Sequence, residues 1–230
     1  MLSARLKELP ARLTKMIKVG VFDSGVGGKS VADAIQAALP EIEVILRQDE
    51  EHVPYGTRTP EEVYEFIQPI FRQMIEEGCQ VIVVACNTVT TTLIDKIRDN
   101  FDIPFVAVEP MVKPAVEMTK TGVIAVCATP ATLSSNRYAW LKNEYAKHVK
   151  VLEPDCSDWA LMIENNNIEE TKIQQRTNEV LARNADVIVL ACTHYHWIED
   201  QIKILARDKA QVIQPEKPLI EQLKRVLQQL

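Results

Sequence analysis

Residues 81–88 read VIVVACNT, and residues 187–194 read VIVLACTH. The two stretches lie 106 positions apart. Each is a run of apolar, mostly β-branched residues that ends in a cysteine and two polar residues. That is the pattern of a buried parallel strand running out into a helix. The likeness extends outward. EVILRQD at 43–49 and VKVLEPD at 149–155 are again 106 apart, and VGVFDS at 19–24 sets against TGVIAV at 121–126 with an offset of 102. Two strands sharing one offset imply a duplicated chain.

Helical patterns lie between these strands. They are KSVADAIQAAL (29–39), PEEVYEFIQPIFRQMIEEG (60–78), TVTTTLIDKIRDNF (88–101), ATLSSNRYAWLKNEY (131–145) and IEETKIQQRTNEVLARN (168–184). The second of these opens on Thr59-Pro60, an N-cap followed by a proline at the first helical position. PFVAVEP (104–110) and AQVIQPE (210–216) read as further strands, and PLIEQLKRVLQQL (218–230) as an amphipathic closing helix against the first lobe. The order predicts an α/β fold of two similar lobes. Each is a mostly parallel sheet flanked by helices, and the pair is pseudo-symmetric with the active site between them. Residues 17–110 form the first lobe, joined by 208–230, and 111–207 form the second. The Leu/Arg/Lys-rich residues 1–16 are an N-terminal extension. No Gly/Ser linker separates the lobes, so they are expected to pack closely.

In parallel α/β sheets, ligands sit outside the carboxyl ends of the strands. The strand ends here carry Asp23-Ser24, Asp49, Cys86-Asn87-Thr88, Thr129 and Cys192-Thr193-His194. If the lobes face each other, a cysteine reaches the cleft from each side. Both cysteines are expected to open a helix, whose dipole lowers a thiol pKa. Opposed thiols suit inversion at a carbon. One removes a hydrogen from one face and the other delivers a proton to the opposite face. An amino-acid α-hydrogen is weakly acidic, so donors must hold the adjacent carboxylate as charge develops on it. Asn87, Thr88 and Thr193 can do this, while Asp23 and His194 can poise the proton transfers at Cys86 and Cys192.

Other chemistries fit less well. The 230-residue chain carries a formal charge of −6 with its charges interspersed, which disfavours nucleic acid as a partner. Its apolar runs fall short of a membrane span. Five cysteines without a CxxC pair suggest neither a disulfide framework nor a zinc site, and fit reduced thiols in the cytoplasm. His194 and His196 lack the further ligands a metal would need. The glycines of VFDSGVGG follow neither dinucleotide nor P-loop spacing. They are expected to let the backbone turn tightly so that Asp23 and Ser24 point into the cleft. Cys79, Cys127 and Cys156 read as packing residues, and Trp140, Trp159 and Trp197 as core or interface fillers.

Four motifs in this order, VFDSGVGG, PYGTRTPEE, ACNT and ACTHY, resemble glutamate racemase, of the aspartate/glutamate racemase superfamily. The resemblance runs from about Lys18 past Ala191. It implies that Cys86 and Cys192 are the catalytic thiols, assisted by Asp23, His194 and, further along, Glu164. It implies substrate contacts at Asp23, Ser24, Pro54, Tyr55, Gly56, Asn87, Thr88, Thr193 and His194, with Thr129 and Thr132 as further contacts. It also implies interconversion of L- and D-glutamate without pyridoxal phosphate, metal or other cofactor, a homodimer, and supply of D-glutamate to peptidoglycan. The chain departs from the pattern at Lys29, at His196 and in VIQPEKP. Aspartate or another amino acid as substrate, a cysteine-nucleophile hydrolase, and a module that binds an acidic amino acid without turning it over remain alternatives.

Overall fold

The computed structural model describes residues 16–230, so the expected extension falls outside the described residues except for Met16. In chain order the first half carries β1 (Lys18–Asp23), α1 (Gly27–Ala38), β2 (Glu43–Gln48), α2 (Pro60–Glu76), β3 (Val81–Val84), α3 (Asn87–Asn100), β4 (Phe105–Ala107) and α4 (Val112–Met118). The second carries β5 (Val123–Cys127), α5 (Pro130–Ser134), α6 (Asn136–Tyr145), β6 (Lys150–Leu152), α7 (Trp159–Glu164), α8 (Glu170–Ala182), β7 (Val187–Leu190), α9 (Glu199–Ala206), β8 (Gln211–Ile213) and α10 (Glu216–Leu227). Two 3-10 turns, Tyr55–Thr57 and Thr193–Ile198, complete the list.

The strands form two parallel sheets of matching order, β2-β1-β3-β4 and β6-β5-β7-β8. Their registers match as well. Val19 pairs with Val81, and Ile124 pairs with Val187. With Val81 set on Val187, Val19 therefore corresponds to Ile124, an offset of 105 (124 − 19) rather than the expected 102. The three-residue difference is odd, so the expected match would turn the strand's side chains to the wrong faces. The observed register keeps them right. Val19, Val21, Val81 and Val83 face one core layer of the first lobe, and Phe22, Ile82 and Val84 the other. Ile124, Val126, Val187 and Val189 face the corresponding layer of the second lobe. Each such fully buried aliphatic side chain contributes about 1.5–3 kcal/mol.

The lobes exchange helices. α4 follows the first sheet but buries Val112 and Ala115 against the second. α10 follows the second sheet but buries Leu219 and Leu223 against the first, beside Val31 and Ile35 of α1. The segment 208–230, expected to join the first lobe, therefore divides: β8 hydrogen-bonds to β7 in the second sheet, and α10 crosses over. This reciprocal crossing packs the lobes together without a linker.

Local chemistry sets the helix ends. α2 opens on a capping box, in which the Thr59 hydroxyl accepts from the Glu62 N–H and the Glu62 carboxylate accepts from the Thr59 N–H. The stretch expected as one helix over 131–145 is two, because Ser135 takes an extended conformation and its hydroxyl caps α6 by accepting from the Tyr138 N–H. Cys79, Cys127 and Cys156 are buried, as is Trp159. Trp140 and Trp197 are about half exposed and fill no core. Among the described residues, no helix is long and apolar enough to cross a membrane.

Candidate active site

Each sheet has a switch point where its strand order reverses, between β1 and β3 in one lobe and β5 and β7 in the other. Asp23 ends β1, and Cys86 follows β3 as the N-cap residue of α3. Thr129 follows β5 as the N-cap of α5, and Cys192 follows β7 at the start of the 3-10 turn. The helical start expected after Cys192 is thus a 3-10 turn of six residues, and α9 begins only at Glu199.

These strand ends enclose one cavity of about 10 Å³, room for about one water molecule. The first lobe contributes Ser24, Pro54-Tyr55-Gly56 and Cys86-Asn87-Thr88 to its wall, and the second contributes Thr129 and Cys192-Thr193-His194. Eleven of the fourteen residues named from the sequence therefore line it. The other three stand directly behind. Asp23 accepts hydrogen bonds from the Thr193 hydroxyl (2.9 Å) and the Gly25 N–H (3.0 Å). Glu164 accepts from His194 Nε2–H at 2.5 Å, and Thr132 accepts from the Thr129 hydroxyl at 3.1 Å. Ala160 of α7 also lines the cavity. A lone alanine carries no motif, so sequence reasoning could not find it.

The two thiol walls differ. Cys86 Sγ touches the Ser24 hydroxyl at 3.4 Å, and burial together with the Asp23 carboxylate pushes this thiol up to about 12. The helix dipole alone would shift it the opposite way, as expected from the sequence. Complete burial of the sulfur outweighs the dipole. On the other wall, Cys192 Sγ accepts from His194 Nδ1–H at 3.8 Å. Burial alone would lower the His194 pKa, but its hydrogen bonds to the Cys192 sulfur and the Glu164 carboxylate outweigh burial and hold it near 10. His194 is therefore an imidazolium at neutral pH. Burial opposes ionisation of Glu164, yet the His194 bond and charge keep its pKa below the usual carboxylate value. Asp23 is fully buried, and that raises its pKa against the opposing His194 charge and its two hydrogen bonds.

Asn87 is 2% exposed, and neither its amide nitrogen nor its carbonyl oxygen has a partner among the described residues. Buried polar groups are rarely left so. With its side chain at the cavity wall, this carboxamide is free to bind a ligand's polar groups. Tyr55, by contrast, has its hydroxyl engaged: it donates to Asp49 Oδ2 at 2.5 Å, and His52 Nδ1 lies 2.8 Å from the same carboxylate. The sequence placed Asp49 at a strand end but gave no sign of this anchoring role.

The glycines of VFDSGVGG act through space rather than through unusual dihedrals. Among the described glycines only Gly78 and Gly122 have positive φ. A Cβ on Gly25 would lie 2.5 Å from the Glu164 carboxylate, one on Gly27 2.5 Å from Thr193, and one on Gly28 2.5 Å from Asp23. Gly25 and Gly27 let the lead-in and start of α1 press against the second lobe's site segment, and Gly28 lets α1 press against the end of β1. Among the described residues, no group of three or more His, Cys, Asp or Glu side chains is arranged to hold a metal ion.

The sequence profile of the Asp/Glu/Hydantoin racemase family matches residues 28–223. The chain is 37% identical over 214 residues to the glutamate racemase of Pseudomonas syringae pv. tomato, covering 91% of this chain and 78% of the relative. Its fold is similar to that of glutamate racemase isoform RacE1 from Bacillus anthracis, with a TM-score of 0.80, 30% identity and coverage of 94% and 82% of the two chains. It is also similar to Escherichia coli glutamate racemase in complex with L-glutamate and the activator UDP-MurNAc-ala. There the TM-score is 0.86, the identity 25% and the coverage 93% and 83%.

Proposed function

Because the chain belongs to the Asp/Glu/Hydantoin racemase family, we propose that it is a glutamate racemase that inverts the α-carbon between Cys86 and Cys192. The observation that carries this reading is that cysteines from equivalent strand ends of two repeated lobes line one cavity. The names of its relatives, and the L-glutamate bound to the Escherichia coli protein, support glutamate as the substrate.

The walls suggest how the chemistry divides. Cys86, kept protonated by burial, is the acid of the resting site. Cys192, facing the His194 cation, is the base. In one direction Cys192 takes the α-hydrogen as a proton: the C–H bond breaks, an S–H bond forms, and the electron pair spreads into the substrate carboxylate. Asn87, Thr88 and the amides at the start of α3 can hold that enediolate-like charge. The Cys86 S–H then delivers its proton to the opposite face and is left as a thiolate. The reverse direction exchanges the two roles. Asp23 and Glu164 do not line the cavity and act through Thr193 and His194 as positioning residues. The family likeness further supports a cytoplasmic homodimer that supplies D-glutamate for peptidoglycan.

The test is incubation with L-glutamate in heavy water, following α-deuteration by mass spectrometry and optical rotation by circular dichroism. The expected result is deuterated D- and L-glutamate, with Cys86→Ala and Cys192→Ala each lowering inversion by at least about 10³-fold, an effect on the scale of removing a general acid or base. Exchange of aspartate but not glutamate would move the substrate. Loss of activity in only one cysteine variant, with covalent trapping by an ester, would instead indicate a hydrolase.

A further inference from the structure

The cavity between the thiols adjoins a much larger cleft of about 560 Å³. Gly56 and Thr88 belong to both walls. The partition between cleft and cavity is thin and spans the lobes: Thr88 Oγ1 lies 3.0 Å from Thr129 Oγ1, and a Cβ on Gly56 would lie 3.0 Å from the Thr129 side chain. The inner cavity has room for about one water, so it must widen before an amino acid can occupy it.

The cleft's hydroxyls are mostly spent. Thr91 and Thr92 donate to the carbonyls of Asn87 (2.8 Å) and Thr88 (2.6 Å), and Ser135 donates to the carbonyl of Thr132 (2.7 Å). Arg58 is different. Among the described residues it is the one charged residue on the cleft wall, it is exposed, and it makes no ion pair or side-chain hydrogen bond. Its guanidinium carbon sits 5.9 Å from the Phe66 ring centroid. The neighbouring acid, Glu62, is engaged by the N–H and hydroxyl of Thr59, both at 2.9 Å. Among the described residues, no lysine or arginine lines the inner cavity, and His194 is the only cation there. The protein carries a formal charge of −6, so a dicarboxylic amino acid approaches against the mean field.

We propose that Arg58 is an outer capture residue, whose guanidinium meets a carboxylate of the dicarboxylic amino acid in the cleft before the lobes admit it past Thr88 and Thr129. This rests on the racemase reading of the inner cavity. Arg58 takes no part in the proton transfers. It raises the local concentration of an anionic substrate, an effect that salt screens.

The experiment measures α-proton exchange of L-glutamate in heavy water by NMR for the wild type, Arg58→Gln and Arg58→Lys, at about 0.01 M and about 1 M ionic strength, where the screening length falls from about 30 Å to about 3 Å. Removing one charge a few ångströms from another in a water-like medium predicts a three- to fivefold lower kcat/KM at low salt, on the order of the Coulomb energy there. The variant should keep the wild-type kcat and lose the fall in kcat/KM on adding salt, and Arg58→Lys should restore the low-salt kcat/KM and that fall. An unchanged kcat/KM at low salt in Arg58→Gln overturns the proposal. So does a fall in kcat with the salt slope intact, which a packing defect would give. If the wild type exchanges glutamate or aspartate and Arg58 is silent, the capture site alone falls. If the wild type exchanges neither, the capture site falls together with the racemase reading.

Discussion

Substituting Gly27 by alanine sets two physical effects against each other, and the structure decides between them. Gly27 is the first residue of α1, and alanine is the better helix former, by about 0.5–1 kcal/mol in a helix interior. Against this, the new Cβ would lie 2.5 Å from Thr193 Cβ and Oγ1 and 2.6 Å from its carbonyl carbon. Carbon atoms in contact prefer about 3.5–4.0 Å, so α1 and the Thr193 backbone must part by about 1 Å. Thr193 cannot swing aside, because its hydroxyl is bonded to Asp23 and one of the clashing atoms is backbone. Overpacking of this kind costs about 1–3 kcal/mol and outweighs the propensity gain. The activity cost is larger. Thr193 lies between Cys192 and His194, and a displacement of about 1 Å at a reacting centre costs on the order of 10²-fold. Gly27→Ala should therefore lose about 1–2 kcal/mol of stability in urea titration and about 10²-fold in kcat/KM for α-proton exchange. A variant as stable as the wild type and within twofold of its activity would refute the close-approach account of this glycine.

Two further outcomes concern charge. The His194 pKa near 10 lies above its ordinary 6.5, so protonation stabilises the fold. That contribution is complete below about pH 6.5 and fades as pH rises through 10. The stability advantage of the wild type over His194→Asn should shrink across that window, as read by denaturant midpoints; a constant difference would contradict the ion-pair geometry with Glu164. Asp23 titrates above its ordinary 3.8 because of burial, so its ionised form costs stability at neutral pH, a cost that disappears as pH falls toward 3.8. Asp23→Asn should melt no lower than the wild type at pH 7–8, and relatively less favourably in acid, while its exchange activity drops at least about 10²-fold, the lower end of what a group that serves a proton transfer contributes. A lower melting temperature at neutral pH would show that the two hydrogen bonds to Asp23 outweigh its burial.

Much of the design was legible in one dimension. Strand periodicity, the repeated cysteine tripeptides and the 106-residue offset depend on local pattern, and local pattern fixes strand, helix and the alternation that calls for a parallel sheet. It also put Cys86, Asn87, Thr88, Cys192, Thr193 and His194 at the strand ends, where the structure brings them to one cavity. Other features depend on which side chains meet across the chain. The first strand's offset is 105 because it is set by pairing to β3 and β7, not by its own letters. The crossing of α4 and α10 depends on which sheet face each helix can cover, and an amphipathic pattern does not name its partner. The Cys86 thiol shifts upward because burial dominates it, and burial, unlike a helix dipole, cannot be read from sequence. Sequence alone determined the residue types that could do the chemistry and their place at the ends of strands, since strand and helix periods are local. Only the tertiary structure decided that His194 faces Glu164, that Asp23 stands behind Thr193, and that three glycines serve contact rather than turn. Burial and distance arise from residues far apart in the chain, and no single stretch of it encodes them.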